Sequence, residues 1–528
     1  MLLTFENNQF VIRSLSETQL FSLIKGQLKD LWLRNHADNS FRTKNILEAA
    51  RFRKYADNKT ENIFQKLMLK VYPLPSSGPI CPDGLELMPF QKEKGIPFIL
   101  SGSRRYLAHQ PGLGKSAQAI CAVNTKPGRA LIICPSFLKT TWAREITKWA
   151  VNFPSIAVVP ESHRQNEMNW KADFVICSDS MLLKEWVRHN IYRTEFRHIY
   201  IDEGHRFQTP GASRTTALFG GVVPDAKGKA KLRSPGLIYN SDHVTVLSGT
   251  PMLGTPIELW PILYAMAPEV IDFMPYQDFG FRYCGAFTDE RGHWHFTGSS
   301  NEGELNNRLM GRFMQRLTKN DVLHDLPDKI REVVVMDEDP RSAKVLRMER
   351  EALKELDGAR VDKPERLEEY AVLRHELGLA KVDWVSRFVA GYLESDPNEQ
   401  IILFAYHRDV VALLAERLSN FNPMVINGGV SNEKRTEFED LFQSKKRRLI
   451  IGNIDAMNLG LTLTAAKRVV FCEVSYTPAN NEQAEDRAHR IGQKDSVFVQ
   501  YVVMPNSFDE ISLNIILRKE SSIRKVIG

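Results

Sequence analysis

The chain has 528 residues, too many for one hydrophobic core, so two or three domains are expected. Its composition, 43% hydrophobic and 25% charged, excludes a disordered chain, and its net charge of +6 is compatible with a polyanionic partner without requiring one. The scattered cysteines favour neither a zinc site nor a disulfide framework, and no long apolar run or signal-peptide pattern predicts membrane insertion or secretion.

Residues 1–80 have a mixed character and are predicted to be a small accessory region. From residue 81 onward, short apolar runs alternate with amphipathic segments, which is typical of parallel sheets covered by helices. The first such block spans residues 81–267. Its predicted strands are 106–108, 130–134, 174–177, 198–201 and 244–247, and its predicted helices include 116–123 and 138–149.

Residues 268–340 are rich in aromatic and polar residues and interrupt the alternation, so 268–380 is predicted to be a helical insertion with linking helices. The second block spans residues 381–528. Its predicted strands are 401–405, 424–426, 449–452, 469–472 and 498–503, and its predicted helices include 410–418 and 433–442. The predicted fold class is α/β with two parallel-sheet domains.

The segment Gly112-Leu113-Gly114-Lys115-Ser116 lies between a predicted strand and a predicted helix. Its glycines allow backbone N–H groups to face a phosphate, and the helix N-terminus favours an anion. Lys115 would then reach the β and γ phosphates of a nucleotide, and Ser116 would ligate Mg²⁺. The strict phosphate-loop pattern has glycine where this chain has His109, so the prediction depends on the strand-loop-helix context.

Asp202 and Glu203 end an apolar run. Both carboxylates are therefore expected at the carboxyl edge of a parallel sheet, where open α/β sheets bind ligands. Asp202 can hold Mg²⁺ through water, and Glu203 can orient and deprotonate the attacking water. An isolated Asp-Glu pair is more often a solvated turn, but the presence of Lys115 favours the catalytic interpretation.

Two further features extend the predicted site in the first block. Ser248 and Thr250 follow a predicted strand and can relay the state of the γ phosphate to bound nucleic acid. The alternative, compatible with the first, is a strand-to-helix turn with Thr250 as the N-cap. The amide of Gln91 can pair with the two-sided edge of adenine.

Near the C-terminus, Arg487 and Arg490 lie one helical turn apart on a predicted helix that also carries Gln483. Such a pair can clamp a phosphate, which would make this helix the far wall of an ATP site. A solvated amphipathic helix is the alternative.

The segments around Gln91, GLGKS, ICPSFL, DEGH, LSGTP, LFAYHRD, NLGLTLTAA and QAEDRAHRIGQ resemble the ordered motifs of Swi/Snf-type, superfamily-two helicase-like ATPases. The resemblance runs from residue 87 to residue 519. Within the family, segments 281–284, 298–301 and 453–460 are most similar to the annealing-helicase, fork-remodelling branch. His109-Gln110-Pro111 departs from the usual acidic pair and methionine, and DEGH departs from DEAH; neither change removes a catalytic group.

The resemblance implies two RecA-like lobes of the P-loop NTPase type, the helicase ATP-binding lobe at 81–267 and the helicase C-terminal lobe at 381–528. ATP and Mg²⁺ would bind between them, and double-stranded DNA would lie across both. The implied catalytic residues are Lys115, Glu203, Arg487 and Arg490. The implied nucleotide contacts are Gln91, Pro111, Gly112, Leu113, Gly114, Lys115, Ser116, Gly460 and Gln483.

The resemblance also implies a track of DNA contacts, in which backbone N–H and hydroxyl groups bind phosphates without reading bases. The residues implied are Pro135, Ser136, Ser178, Gly428, Gly429 and Thr462. Lys227, Lys229 and Lys231 resemble a mobile basic loop, for which a solvated surface is the alternative.

The sequence therefore predicts an ATP-dependent translocase on double-stranded or branched DNA, acting as a monomer to remodel or anneal DNA in replication, repair or recombination. An unwinding helicase on DNA or RNA is one alternative. A nucleic-acid-binding scaffold with a lapsed ATPase is another, disfavoured because Lys115, Glu203 and Arg490 are all present. Compactness suggests a DNA-associated protein of the bacterial cytoplasm or a phage-infected host, or of the nucleus if the source is eukaryotic.

Overall fold

The computed structural model describes residues 2–6, 9–13, 33–35, 40–43, 56–61, 70–76, 78–161, 168–224, 231–234, 236–288, 292–337, 345–347, 371–457 and 461–528. At the N-terminus, an antiparallel sheet contains β1 (Leu2–Glu6), β2 (Gln9–Arg13), β3 (Leu33–Asn35) and β4 (Ser40–Thr43). These four strands pair in the order β1-β2-β4-β3.

The first lobe is built on a seven-stranded parallel sheet. The strands of this lobe are β5 (Arg104–Leu107), β6 (Ala130–Cys134), β7 (Ile156–Val158), β8 (Phe174–Ser178), β9 (His198–Asp202), β10 (Gly221–Pro224), β11 (Lys231–Ser234), β12 (His243–Leu247), β13 (Phe287–Thr288), β14 (Trp294–His295) and β15 (Met314–Gln315). The sheet order is β15-β5-β12-β9-β6-β8-β7, while β10–β11 and β13–β14 are separate two-stranded pairs.

Helices cover both faces of the first sheet, which is why its central strands are continuous apolar runs such as Ala-Leu-Ile-Ile-Cys in β6. The helices are α1 (Ile96–Leu100), α2 (Lys115–Thr125), α3 (Lys139–Trp149), α4 (Glu185–Arg193), α5 (Ser213–Phe219), α6 (Trp260–Met266), α7 (Tyr276–Tyr283) and α8 (Glu302–Leu309). A π-helical turn, Gln91–Gly95, leads into α1.

The second lobe has a six-stranded parallel sheet in the order β16-β21-β20-β17-β19-β18. Its strands are β16 (Lys329–Val335), β17 (Ile401–Ala405), β18 (Met424–Ile426), β19 (Leu449–Asn453), β20 (Arg468–Phe471) and β21 (Val497–Val503). The short α9 (Lys319–Val322) precedes this sheet, and its helices are α10 (Ala371–Ser395), α11 (Arg408–Arg417), α12 (Asn432–Gln443), α13 (Ile454–Met457), α14 (Pro478–Glu485) and α15 (Phe508–Ile527).

The predicted two-lobed α/β fold is confirmed, and the predicted strands 130–134, 401–405 and 424–426 match the structure to the residue. The region expected as an insertion contributes to both sheets. β15 pairs with β5 at the edge of the first sheet, and β16 pairs with β21 at the edge of the second. The chain therefore crosses between the lobes through residues 316–328.

Two local predictions are wrong. The helix expected to carry the arginine pair ends at Glu485, so Arg487 and Arg490 lie in the turns that follow it. Thr250 is not a helix N-cap; Thr255 takes that position, in a capping box with Glu258. The turn chemistry of Thr255-Pro256 begins the helix, because proline is favoured in the first turn.

The last helix, α15, begins in the second lobe and returns to the first. Val526 and Ile527 are 0% and 2% exposed and belong to the hydrophobic core of the first lobe. The side-chain amide of Asn306 on α8 donates to the carbonyl oxygen of Val526 at 2.8 Å. This helix therefore links the two lobes by apolar packing. Among the described residues, no helix has the length and apolarity needed to cross a bilayer.

Candidate nucleotide site between the two lobes

The predicted phosphate loop, residues 109–114, joins β5 to α2. Gly114 has a left-handed conformation, with φ of 69°, and a Cβ at this position would lie 2.5 Å from Nε2 of Gln91, so both backbone and space require glycine. The ammonium group of Lys115 donates to the carbonyl oxygen of His109 at 2.7 Å. Burial lowers the pKa of Lys115 to about 8, against the opposing charges of nearby carboxylates.

Other residues predicted to contact the nucleotide lie in this loop or directly after it. Ser116 lies in the first turn of α2, and Leu113, within the loop, is fully buried. Pro111 lies so close to the LSGTP segment that a Cβ on Gly249 would come 2.5 Å from its Cγ. The loop is therefore packed directly against the segment that follows β12.

The amide of Gln91 joins the phosphate loop to the segment that precedes Gln91. Its Nε2 donates to the carbonyl oxygen of Leu113 at 3.1 Å, and its Oε1 accepts from the backbone N–H of Met88 at 3.0 Å. The side chain is buried. In this arrangement Gln91 braces the loop, and its contact with adenine stays a prediction.

The acidic pair lies at the carboxyl end of β9, two strands from the loop strand β5 in the sheet order. Asp202 Oδ2 accepts from the indole N–H of Trp142 at 2.8 Å. Burial and the charge of Glu203 raise the pKa of Asp202 to about 7. Burial also raises the pKa of Glu203, against the attraction of Lys115. Glu203 has a left-handed backbone, with φ of 51°, and its Oε2 has no hydrogen-bond donor among the described residues.

A chain of polar contacts leads from Glu203 to the other lobe. Nδ1 of His205 lies 3.3 Å from Oε2 of Glu203 and 3.2 Å from Oγ of Ser248. The Ser248 hydroxyl accepts from the backbone N–H of Thr250 at 3.1 Å. The hydroxyl of Thr250 in turn accepts from Nε2 of Gln483 in the second lobe at 3.0 Å. Ser248 and Thr250, the two residues predicted to relay the state of the γ phosphate to bound nucleic acid, therefore lie between the acidic pair and the second lobe.

The arginine pair approaches the phosphate loop from the second lobe. A Cβ built on Gly112 would lie 3.4 Å from Cγ of Arg490, so the arginine stem rests against the loop. The guanidinium groups of Arg487 and Arg490 each donate to the carbonyl oxygen of Leu461 at 3.2 Å. Arg490 also donates to the hydroxyl of Thr462 at 3.1 Å, which places a residue predicted on the DNA track beside the nucleotide cleft.

Buried ion pairs hold the turns that carry these arginines. Lys319 lies 2.8 Å from Asp486, with both side chains at most 3% exposed. Lys329 and Arg331, on β16, pair with Glu485 at 2.7 Å each. The neighbouring cations hold the pKa values of Glu485 and Asp486 below the usual range in spite of burial. The cations come from the crossing segment and β16, so the arginine turn is positioned by distant residues.

Several predicted residues lie elsewhere. Gly460, Lys227 and Lys229 fall outside the described residues, and the backbone of Lys231 begins β11. Among the predicted DNA contacts, Ser136, Gly428 and Gly429 are exposed. Pro135 and Ser178 are buried.

Three residues with clear contacts in the cleft were assigned no role from the sequence. Trp142 holds Asp202, His205 links the acidic pair to the following segments, and Arg316 donates to the carbonyl oxygens of Ala108 at 2.9 Å and Gly249 at 2.7 Å. His205 stands in the DEGH motif, which could have indicated its role. Nothing local marks Trp142 or Arg316, because their partners are distant in the chain.

Family models match the two lobes separately. The SNF2-related domain matches residues 84–220, and the helicase conserved C-terminal domain matches residues 380–492. The chain belongs to the Swi/Snf-type family of helicase-like ATPases. Each of the two lobes that border the cleft therefore carries one of the matched domains.

The Swi/Snf-type chain is 33% identical over 435 residues to the Xenopus laevis SWI/SNF-related matrix-associated actin-dependent regulator of chromatin subfamily A-like protein 1, covering 80% of this chain and 42% of that protein. It is 30% identical over 462 residues to the mouse DNA annealing helicase and endonuclease ZRANB3, covering 83% of this chain and 40% of that protein. The chain therefore spans less than half the length of either relative. A solved Sulfolobus solfataricus SWI2/SNF2 ATPase core in complex with dsDNA is similar with a TM-score of 0.39 and 21% identity, covering 87% of this chain and 99% of that one.

Proposed function

We propose that this chain is an ATP-dependent translocase on double-stranded DNA that remodels forks or branch points. The observation that carries the proposal is the approach of Arg490 from the second lobe to Gly112 of the phosphate loop, with Glu203 in the same cleft. Lys115 and Arg487 both attract the Glu203 carboxylate, and Arg490 lies near enough to Lys115 to repel it. That arrangement suits a nucleoside triphosphate with a divalent cation.

The first-lobe residues fit ATP and Mg²⁺. Lys115 would bind the β and γ phosphates, with the backbone N–H groups of the glycine loop around them. Ser116 and Asp202 would hold Mg²⁺. Oε2 of Glu203, which is buried and accepts no hydrogen bond from the described residues, supports a site that binds further ligands. Mg²⁺, when bound, supplies charge neutralisation at the phosphates. The cation would also favour the charged forms of the two carboxylates, whose pKa values burial raises.

The remaining residues divide the chemistry of hydrolysis between the lobes. Glu203 would orient the attacking water and accept its proton. Arg487 and Arg490 would neutralise charge that develops on the γ phosphate, for which a planar guanidinium is suited. Gln91 would contact adenine and Gln483 would contact the nucleotide from the second lobe.

Hydrolysis would be coupled to lobe motion because the arginines and the carboxylates belong to different lobes. The bond from Gln483 to Thr250 supports this coupling, since it forms only when the lobes are together. Repeated closing and opening would move the chain along DNA. The DNA track would include the exposed Ser136, Gly428 and Gly429.

The choice of DNA as partner draws on the relatives. One of them, the mouse protein, is named a DNA annealing helicase and endonuclease. The same proposal includes forks or branches as the substrates and action as a monomer. It also includes a DNA-associated location, in a bacterial cell, a phage-infected host or a eukaryotic nucleus.

The first test measures ATP turnover with and without duplex DNA. We expect turnover to be slow alone and to rise many-fold with DNA, because DNA across both lobes favours the closed arrangement. Lys115→Ala and Arg490→Ala should each abolish turnover and leave DNA binding nearly intact. Turnover that is equal with and without DNA would contradict the coupling, and no turnover in the unaltered chain would favour the lapsed-ATPase scaffold.

An unwinding helicase is the second candidate, and one observation favours it. The pair β13–β14 carries Phe287 and Trp294, which are 43% and 52% exposed, and an exposed aromatic pair can separate strands by stacking on bases. Triplex displacement and unwinding of a tailed duplex should be compared under matched ATP. Triplex displacement without unwinding supports the translocase. Unwinding that Trp294→Ala removes, without triplex displacement, would make the helicase correct.

A further inference from the structure

We propose that Gln110 senses lobe closure and positions the phosphate loop against the second lobe during hydrolysis. Its Oε1 accepts from the backbone N–H of Lys319 at 2.8 Å, and its Nε2 donates to Oε1 of Glu482 at 2.8 Å. Lys319 lies in the segment that crosses between the lobes, and Glu482 lies on α14. One amide therefore joins the loop, the crossing segment and the second lobe.

Gln110 is also tied to the catalytic lysine. Its carbonyl oxygen lies 3.4 Å from the ammonium group of Lys115, and its backbone N–H donates to the carbonyl oxygen of Leu317 at 3.0 Å. A displacement of Gln110 would therefore move a carbonyl next to the Lys115 ammonium. Through this contact, Gln110 acts as a positioning residue rather than a catalytic one.

Both partners of Gln110 contact the arginine turn, since the carbonyl oxygen of Glu482 accepts from the backbone N–H of Asp486 at 3.0 Å. The backbone N–H of Lys319 is held by Gln110, while its ammonium group pairs with Asp486 at 2.8 Å and donates to the carbonyl oxygen of His489. Arg490 follows His489 directly. When the lobes separate, the hydrogen bond from Gln110 to Glu482 must break. Closure of the lobes would therefore position the phosphate loop and the arginine turn at the same time.

The charge of residue 110 decides whether it can form a hydrogen bond with Glu482. Glutamine can donate to the carboxylate of Glu482, whereas glutamate would place a second carboxylate at hydrogen-bond distance from it. Like charges at this separation disfavour the closed arrangement. The contact borders a cavity of about 470 Å³ that is also lined by Arg316 and Lys329, cations that face Glu482 in either case.

The inference rests on the proposed ATPase function and is tested by exchanging the two groups. Gln110→Glu should lower kcat for ATP hydrolysis at least about tenfold, with the affinity for a fluorescent ATP analogue changed by less than about twofold. The double variant Gln110→Glu, Glu482→Gln has the same net charge as the unaltered chain and restores a carboxylate–amide bond with the roles reversed. We therefore expect its kcat to return to near that of the unaltered chain.

Two controls make the result specific. Glu482→Gln alone should keep most of the turnover, because two amides can still hydrogen-bond. Gln443→Glu makes the same chemical change at an exposed amide within the second lobe and should have little effect. Unchanged kcat in Gln110→Glu, or failure of the double variant to recover, would overturn the inference. If ATP turnover by the unaltered chain were the same with and without DNA, the proposed translocase would be contradicted instead. The comparison among the Gln110 variants would still test the inference.

Discussion

The docking of α15 on the first lobe predicts that Ile527 controls how firmly the lobes associate. The Ile527 side chain is 2% exposed in the core of the first lobe, although its helix begins in the second. Truncating a buried isoleucine to alanine costs about 2–5 kcal/mol where the site cannot collapse. The end of a helix can undock, so the cost is limited to the free energy of docking. A cost of about 1–3 kcal/mol is expected, equivalent to a change of about 5-fold to 150-fold in the ratio of closed to open molecules.

Hydrogen–deuterium exchange gives the direct readout of this docking. Ile527→Ala should speed amide exchange in α8 and the last turn of α15, and should lower DNA-stimulated kcat by up to the same factor because Arg490 reaches the loop only in the closed arrangement. Leu517→Ala is the matched control, since Leu517 lies on the same helix and is 50% exposed. Equal exchange and equal turnover in the two variants would refute the reasoning.

Three further outcomes are expected. Glu203→Gln should still bind ATP and DNA but lose turnover by about a hundredfold or more, measured by steady-state hydrolysis, and normal hydrolysis would show that the base is misassigned. Stability should fall as pH drops from 7 to 5, because burial lowers the pKa of His198 to about 3 and of His243 to about 4, well below the value of an unfolded histidine. The free energy of unfolding therefore has its full value above pH ~6.5, and below that pH it decreases by up to about 1.4 kcal/mol per pH unit for each histidine. Thermal unfolding of His243→Gln should show a shallower pH dependence than that of the unaltered chain. An identical dependence would contradict this. Asp486→Asn should destabilise the chain by about 3–5 kcal/mol, because it leaves Lys319 buried without its counter-charge. Asp495→Asn, at a surface pair that is half exposed, should cost less than about 1 kcal/mol, and similar unfolding temperatures for these two variants would argue against the buried network.

Local pattern was sufficient for the two-lobed fold. Strands such as β6 and β17 are buried on both faces, so they are short apolar runs that a sequence displays directly. The positions of residues 109–114 and of the acidic pair after strands were predictable for a related reason. Each lies where a strand ends, and the carboxyl ends of parallel strands share one edge of the sheet.

Tertiary structure decided how those segments meet. The spacing of Arg487 and Arg490 predicts a helix, but the helix ends at Glu485. There, carboxylates pair with Lys329 and Arg331, more than 150 positions away. The bond between Gln110 and Glu482 joins residues 372 positions apart, and Ile527 enters the core of the opposite lobe. Periodicity is a property of neighbouring residues, whereas these contacts depend on where two separately folded lobes come together, so no local pattern contains them.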